Sequence, residues 1–231
     1  MPATRTFQLH HVQLARAAFA AVAALMVTFS ADHSAAVGLA VFSGFALVSG
    51  LIFVLGGWLA ARPGWRWPYV LMAVVAGLTG MAASIPMWRT TPLFFVLVIV
   101  WGALAGFIEL IAGIRARRIA RAENLPAPEG ARDAILIGSL GLALAVALAC
   151  VPSTYALKYS IAQAGSFTLT GITLAVGIFG AYAAIVAVFL GIAGLSPRSS
   201  RVAEAAGHGS ASAPTIAGAV ATAPAENEGS A

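Results

Sequence analysis

The chain has 231 residues, of which 60% are hydrophobic and 9% are charged, and its mean hydropathy is +0.92. Soluble domains carry about 25% charged residues, so this composition excludes an ordinary globular enzyme. The single cysteine excludes an internal disulfide framework and any cysteine-rich zinc or iron–sulfur site.

Six stretches are long and apolar enough to cross a bilayer as helices, because a hydrocarbon core about 30 Å thick needs roughly 20 helical residues. Continuous apolar runs of this kind favour helices over barrel strands, in which polar and apolar residues alternate. The sequence therefore predicts an all-α membrane protein with six transmembrane helices, at residues 12–30, 35–61, 67–87, 92–114, 134–151 and 167–194.

The predicted membrane domain, residues 12–195, has a short segment on each side. Residues 1–11 form a predicted cytoplasmic N-terminus. The basic start and the apolar stretch 17–29 also resemble a signal peptide, but no clean small-x-small cleavage site follows. Residues 196–231 are rich in Ala, Gly, Ser and Pro and have little to bury, which predicts a disordered cytoplasmic tail.

Basic residues are distributed unequally between the two predicted sides of the membrane. Eleven lie on one side: Arg5, Arg16, Arg62, Arg66, Arg115, Arg117, Arg118, Arg121, Arg132, Arg198 and Arg201. Only Arg89 and Lys158 lie on the other. The positive-inside rule then predicts that both termini lie in the cytoplasm. Topology accounts for the excess of positive charge, so no nucleic-acid partner is predicted.

Spans two, four and six share a pattern of aromatic and small residues, which predicts three repeated hairpins at about 12–61, 67–114 and 134–194. The repeated aromatic is Phe45, Trp101 or Phe179. Small residues let helix backbones approach closely in a membrane. Close packing is predicted at seven glycines of the pattern: Gly50, Gly57, Gly102, Gly106, Gly113, Gly180 and Gly191.

The stretches WGALAGFIELIAGIRARR (residues 101–118) and IFGAYAAIVAVFLGIAG (residues 178–194), with their triplication, resemble the HdeD-like acid-resistance membrane proteins. The resemblance covers about residues 16–195. It implies a six-helix bacterial inner-membrane protein that acts in acid stress, with no agreed molecular activity and no catalytic residues. Glu109 matches the glutamate often seen in a Gly-x-x-Glu segment of that family, here residues 106–109. The longer outer loop, 153–166, and the Ala-rich tail depart from the family.

Glu109 is the only acidic residue within a predicted span. An ionisable group in hydrocarbon is expensive, so Glu109 is a candidate proton or cation site. It lies about 9 Å along the helix from Arg115 and on a different face. A structural ion pair is the alternative that we favour, and its partner must come from another helix or loop. Three arginines lie at the right level: Arg62, Arg66 and Arg132.

A cluster of arginines follows the fourth span, namely Arg115, Arg117, Arg118 and Arg121. Basic residues near the surface attract anionic lipid headgroups by about 1 kcal/mol each, so the cluster is a possible lipid contact. Alternatively, it serves only to determine the topology.

Signatures of enzymes are missing from the sequence. Lys158, the one lysine, is not in a phosphate-binding Gly-Lys-Ser/Thr loop, and there is no His-Glu-x-x-His. The sequence predicts a non-enzymatic protein without cofactors that supports acid or envelope stress tolerance through membrane packing or self-association. The alternatives are a small proton, ion or solute transporter that uses Glu109, and an accessory subunit of a larger membrane complex. A hydrated cavity at Glu109 would favour transport, whereas a dry core would favour a scaffold.

Overall fold

The computed structural model of the protein describes residues 9–61, 64–126, 128, 130–161 and 165–196. Several predictions lie outside these residues. They are those for the first eight residues, for Arg62, and for the tail after residue 196 with its two arginines.

Within the described residues there are six long helices, and by length and composition each can cross a membrane. They are α1 (Leu9–Phe29), α2 (Ala35–Leu59), α3 (Trp67–Ser84), α4 (Thr91–Ala122), α5 (Ala131–Ala149) and α6 (Gly171–Leu195). A 3-10 turn, Pro86–Trp88, lies between α3 and α4. Many large apolar side chains on the helix surfaces are exposed, as lipid contact requires. The predicted all-α membrane fold with six transmembrane helices is confirmed, and the chain is a multi-pass membrane protein.

Two helices begin at residues that cap them. Ser34 precedes α2, and its Oγ accepts a hydrogen bond from the Val37 N–H at 3.4 Å. Thr90 precedes α4, and its Oγ1 accepts one from the Leu93 N–H at 3.4 Å. Each cap satisfies a backbone donor that the first helical turn leaves free. The caps fix where the chain turns back between neighbouring helices.

Helix α4 is longer than the predicted fourth span. Its 32 residues extend about 48 Å, well beyond the thickness of the hydrocarbon. The arginine cluster, predicted to lie in a loop, therefore lies on the last turns of α4. Arginine is a good helix former, so the helix has no reason to end where the apolar run ends. Asn124, with φ of 52°, follows the end of α4.

The connection between α5 and α6 is a β-hairpin, which the sequence analysis did not predict. Strands β1 (Ala156–Ile161) and β2 (Gly165–Thr170) are antiparallel, with Lys158 opposite Thr168. Residues 167–170, predicted to begin the sixth span, belong to β2. In β1, apolar or aromatic residues alternate with polar ones between positions 157 and 161, a period of two that favours a strand.

The helices pack most extensively in three pairs, α2 with α3, α4 with α5, and α6 with α1. Contacts within the predicted hairpins, such as α1 with α2, are less extensive. Helices α2, α4 and α6 contribute aromatic rings that meet in the core. The Phe45 ring lies edge-on to Trp101 (5.4 Å between centroids) and to Phe179 (5.7 Å). The threefold repeat itself stays a prediction.

Candidate functional site

Glu109 on α4 forms an ion pair with Arg16 on α1. The Glu109 Oε1 and Arg16 Nη2 atoms are 2.7 Å apart, and the two side chains are 11% and 18% exposed. A distance this short is typical of a charge-assisted hydrogen bond. The sequence analysis expected the partner of Glu109 to come from another helix or loop, but it did not consider Arg16. The partner is Arg16 rather than Arg66 or Arg132.

Arg16 also contacts an aromatic ring of α2. Its guanidinium carbon lies 4.7 Å from the centroid of the Phe53 ring. A cation over a ring face is attracted by the ring quadrupole, and this attraction grows when water is excluded. The Phe53 ring in turn lies edge-on to Tyr69 of α3, with 6.4 Å between centroids. The charge of Arg16 therefore connects α1 to both α4 and α2.

A second polar contact of α1 lies one turn before Arg16. The Gln13 Nε2 donates a hydrogen bond of 2.8 Å to the Asp133 Oδ2, in the first turn of α5. Residues three positions apart lie on one side of a helix, so Gln13 and Arg16 form a short polar stripe on α1. This stripe binds α1 to α4 and α5. The sequence analysis did not identify Gln13 or Asp133.

A small cavity reaches the ion pair and is lined by residues from all six helices. Its polar lining comprises Arg16, Ser49, Trp101, Glu109 and Tyr182. Its volume of about 10 Å³ is close to the minimum that one water molecule needs. The Trp101 Nε1 is buried and has no hydrogen-bond partner among the residues that the structure describes. The core around Glu109 thus offers polar groups but space for only about one water.

The predicted glycines of α4 lie directly against the backbone of α5. A Cβ added to Gly102 would lie 3.0 Å from the Gly141 carbonyl oxygen, and one added to Gly106 would lie 2.7 Å from that of Gly138. A Cβ on Gly113 would lie 2.8 Å from the Ala131 carbonyl oxygen. Real Cβ atoms essentially never lie closer than 3.0 Å to such an atom. Gly106 and Gly113 therefore cannot be replaced by a larger residue unless the helices shift.

Four predicted packing glycines lie on other helices and differ in their surroundings. A Cβ on Gly57 would lie 2.9 Å from the Tyr69 Cβ, and one on Gly180 would lie 2.6 Å from the Val27 Cγ1. Gly50 has ordinary contacts, 3.4 Å and beyond. Among the residues that the structure describes, nothing lies within 4 Å of a Cβ added to Gly191, so the close packing predicted there is not found. A repeated sequence position does not ensure the same neighbour in each copy.

The arginine cluster lies at the end of α4, separate from the ion pair in the core. Arg115, Arg118 and Arg121 are exposed, and Arg117 is half-buried. Within the described ranges, no three His, Cys, Asp or Glu side chains lie close enough together to hold a metal ion.

Comparison of the chain with models of protein families, with curated proteins and with solved structures gives no match. The resemblance to the HdeD-like proteins therefore stays a prediction.

Proposed function

We propose that this multi-pass membrane protein is a non-enzymatic scaffold of the bacterial inner membrane, of the HdeD-like type, that supports tolerance of acid or envelope stress. It acts through a tightly packed helix bundle that associates with anionic lipid headgroups or with further copies of itself. The observation that carries the proposal is the neutralised Arg16–Glu109 pair, at 2.7 Å, in a core with space for about one water.

Close packing supports a scaffold rather than a pathway. A channel or transporter presents several polar groups along a hydrated route. Here Glu109 already has a cationic partner, and Phe53 covers that cation. Glycines hold α4 against α5 with backbone contact.

Both termini of this scaffold lie in the cytoplasm. Arg16 is paired within the bundle and no longer counts as a loop charge, which leaves ten basic residues on one side and two on the other. The asymmetry that the positive-inside rule requires is still large. The cluster at the end of α4 then faces the anionic cytoplasmic leaflet, where lipid headgroups attract arginine.

Acid survival of a bacterial strain that lacks the chain tests this proposal. The strain is complemented with the wild type, Glu109→Gln, or the double variant Arg16→Gln/Glu109→Gln. Glu109→Gln should reduce both the folded protein in the membrane and the survival, because it leaves Arg16 unpaired in the core. The double variant should restore both, since it buries no unpaired charge. Exposed Glu123 supplies the matched control, Glu123→Gln, which should leave survival unchanged.

A transporter that uses Glu109 is the second candidate, because polar side chains from four helices line the cavity at that carboxylate. A double variant that is present at the wild-type level but gives no acid survival would contradict the scaffold. That outcome would favour transport, since protein would be intact and only the titratable group missing.

A further inference from the structure

A groove of about 460 Å³ lies between α2 and α3, at the end of the molecule where α2 stops and α3 begins. Its walls are Val54 and Trp58 of α2 and Tyr69, Val70 and Val74 of α3, and Arg66 lies at its mouth. The volume falls within the range of about 300–1,000 Å³ that is typical of small-molecule sites. The groove is separate from the cavity at the ion pair, although Phe53 lines both.

The side chains that form the walls of the groove are exposed on the surface of the helices. Trp58 is 71% exposed, and Val54 and Val70 are more than half exposed, although all three lie in or at the end of membrane-crossing helices. Side chains that are exposed on such helices contact lipid. The molecules next to this groove are therefore lipids, and an acyl chain is its natural occupant. The large apolar walls suit that occupant.

The mouth of the groove is cationic. Arg66 is exposed and directly precedes α3, and no carboxylate within the described ranges pairs with it. Trp58 lies near the same end, where tryptophan commonly marks the boundary between hydrocarbon and headgroups. An anionic phospholipid has a charged headgroup and apolar acyl chains. The cation at the boundary suits the headgroup, and the apolar groove next to it suits an acyl chain.

We propose that the groove between α2 and α3 binds one anionic phospholipid, with its phosphate on Arg66 and one acyl chain along Val54, Val70 and Val74. This site is distinct from the arginine cluster, which lies on the last turns of α4. Because Phe53 separates the groove from Arg16, the bound chain packs against the ring that covers the ion pair. A lipid bound here stabilises the folded bundle by mass action.

Native mass spectrometry of the full chain in detergent measures this binding directly. The protein is titrated with phosphatidylglycerol or with phosphatidylcholine of the same acyl chains. The wild type should retain one phosphatidylglycerol more tightly than phosphatidylcholine. Arg66→Gln should weaken that affinity about fivefold, the fold-change that about 1 kcal/mol for one basic residue represents. Free glycerol phosphate at equal concentration should not displace the lipid, because it has no acyl chain.

Two groove-filling variants test the position of the acyl chain. Val70→Trp and Val74→Trp should each reduce the retention of phosphatidylglycerol. If one variant fails to fold, the other still tests the position of the chain. The matched controls are Arg132→Gln, an exposed arginine outside the groove, and Val188→Trp, a substitution at a valine of α6 that is 64% exposed. Both controls should bind like the wild type. Equal affinity for the two lipids, or an equal loss in Arg132→Gln and Arg66→Gln, would overturn the proposal.

Discussion

Arg16 and Glu109 show how two charges can be accommodated within membrane-crossing helices. Arg16 is the only Asp, Glu, Lys or Arg residue of α1, and Glu109 is the only acidic residue of α4. Either charge alone would be costly to bury, whereas the pair is neutral and each partner satisfies the other. Phe53 then covers the guanidinium. The pair therefore joins three helices at one point of the core.

A double-mutant cycle should measure this coupling in the free energy of unfolding. Glu109→Gln and Arg16→Gln should each destabilise the protein by about 3–5 kcal/mol, because each leaves a buried charge without its partner. The double variant should lose much less than the sum of the two single losses. Unfolding of the purified protein in detergent, followed by tryptophan fluorescence, gives the four values. Strictly additive losses would show that the two charges do not interact.

At the residue scale, the sequence predicts one member of the pair. Glu109 is evident because no other acidic residue lies within a predicted span. Arg16 was counted among the basic residues that determine the topology, although it lies inside the first predicted span. A lone arginine within a span indicates a buried charge that needs a partner, and this signal was available in the sequence. Nothing in the sequence indicates the Gln13–Asp133 contact. It depends on α1 lying next to α5, and the spacing of residues along the chain does not determine which helices are neighbours.

The interface of α4 with α5 depends on glycines from both helices. A Cβ on Gly138 would lie 2.6 Å from the Gly106 carbonyl oxygen, and one on Gly141 would lie 3.1 Å from that of Gly102. The contact is thus reciprocal, backbone against backbone. Such contacts let van der Waals attraction hold helices together where lipid removes the hydrophobic incentive.

Gly106→Leu and Gly191→Leu should differ sharply in their effects, although the two glycines belong to the same predicted repeat pattern. Leucine at 106 must push α5 away, which should cost about 1–3 kcal/mol or more. A Cβ at 191 meets no atom of the described residues within 4 Å, so leucine there should leave stability almost unchanged. The melting temperature in detergent, with size-exclusion chromatography before and after heating, compares the two variants. Equal melting temperatures would contradict the close contact of α4 with α5.

At the element scale, length and hydropathy are enough to predict six helices, because the bilayer sets both quantities. They do not predict where α4 ends, since hydropathy falls at Arg115 but helical hydrogen bonding continues to Ala122. The β-hairpin was missed for a related reason. Strand β1 lies beyond the predicted spans, where the alternation of residue types is the relevant pattern, whereas residues 167–170 of β2 were counted in the apolar run of the sixth span.

At the scale of the whole molecule, α6 packs extensively against α1, so the last helix returns to the first. Aromatic rings from α2, α4 and α6 fill the middle, and all six helices line the small cavity at the ion pair. The sequence pattern predicts that Phe45, Trp101 and Phe179 occupy equivalent positions, but it does not predict that the Phe45 ring contacts both of the others. Those contacts follow from the order in which the helices pack.

Proton flux into liposomes that contain the purified full chain tests most directly whether Glu109 is structural. A pH-sensitive dye is enclosed, a pH gradient is imposed, and the membrane potential is clamped with potassium and valinomycin. The neutralised pair and the nearly dry core predict flux equal to that of protein-free liposomes, with no change in Glu109→Gln. Flux that exceeds this baseline in the wild type, and disappears in Glu109→Gln liposomes with equal amounts of folded protein, would contradict the account.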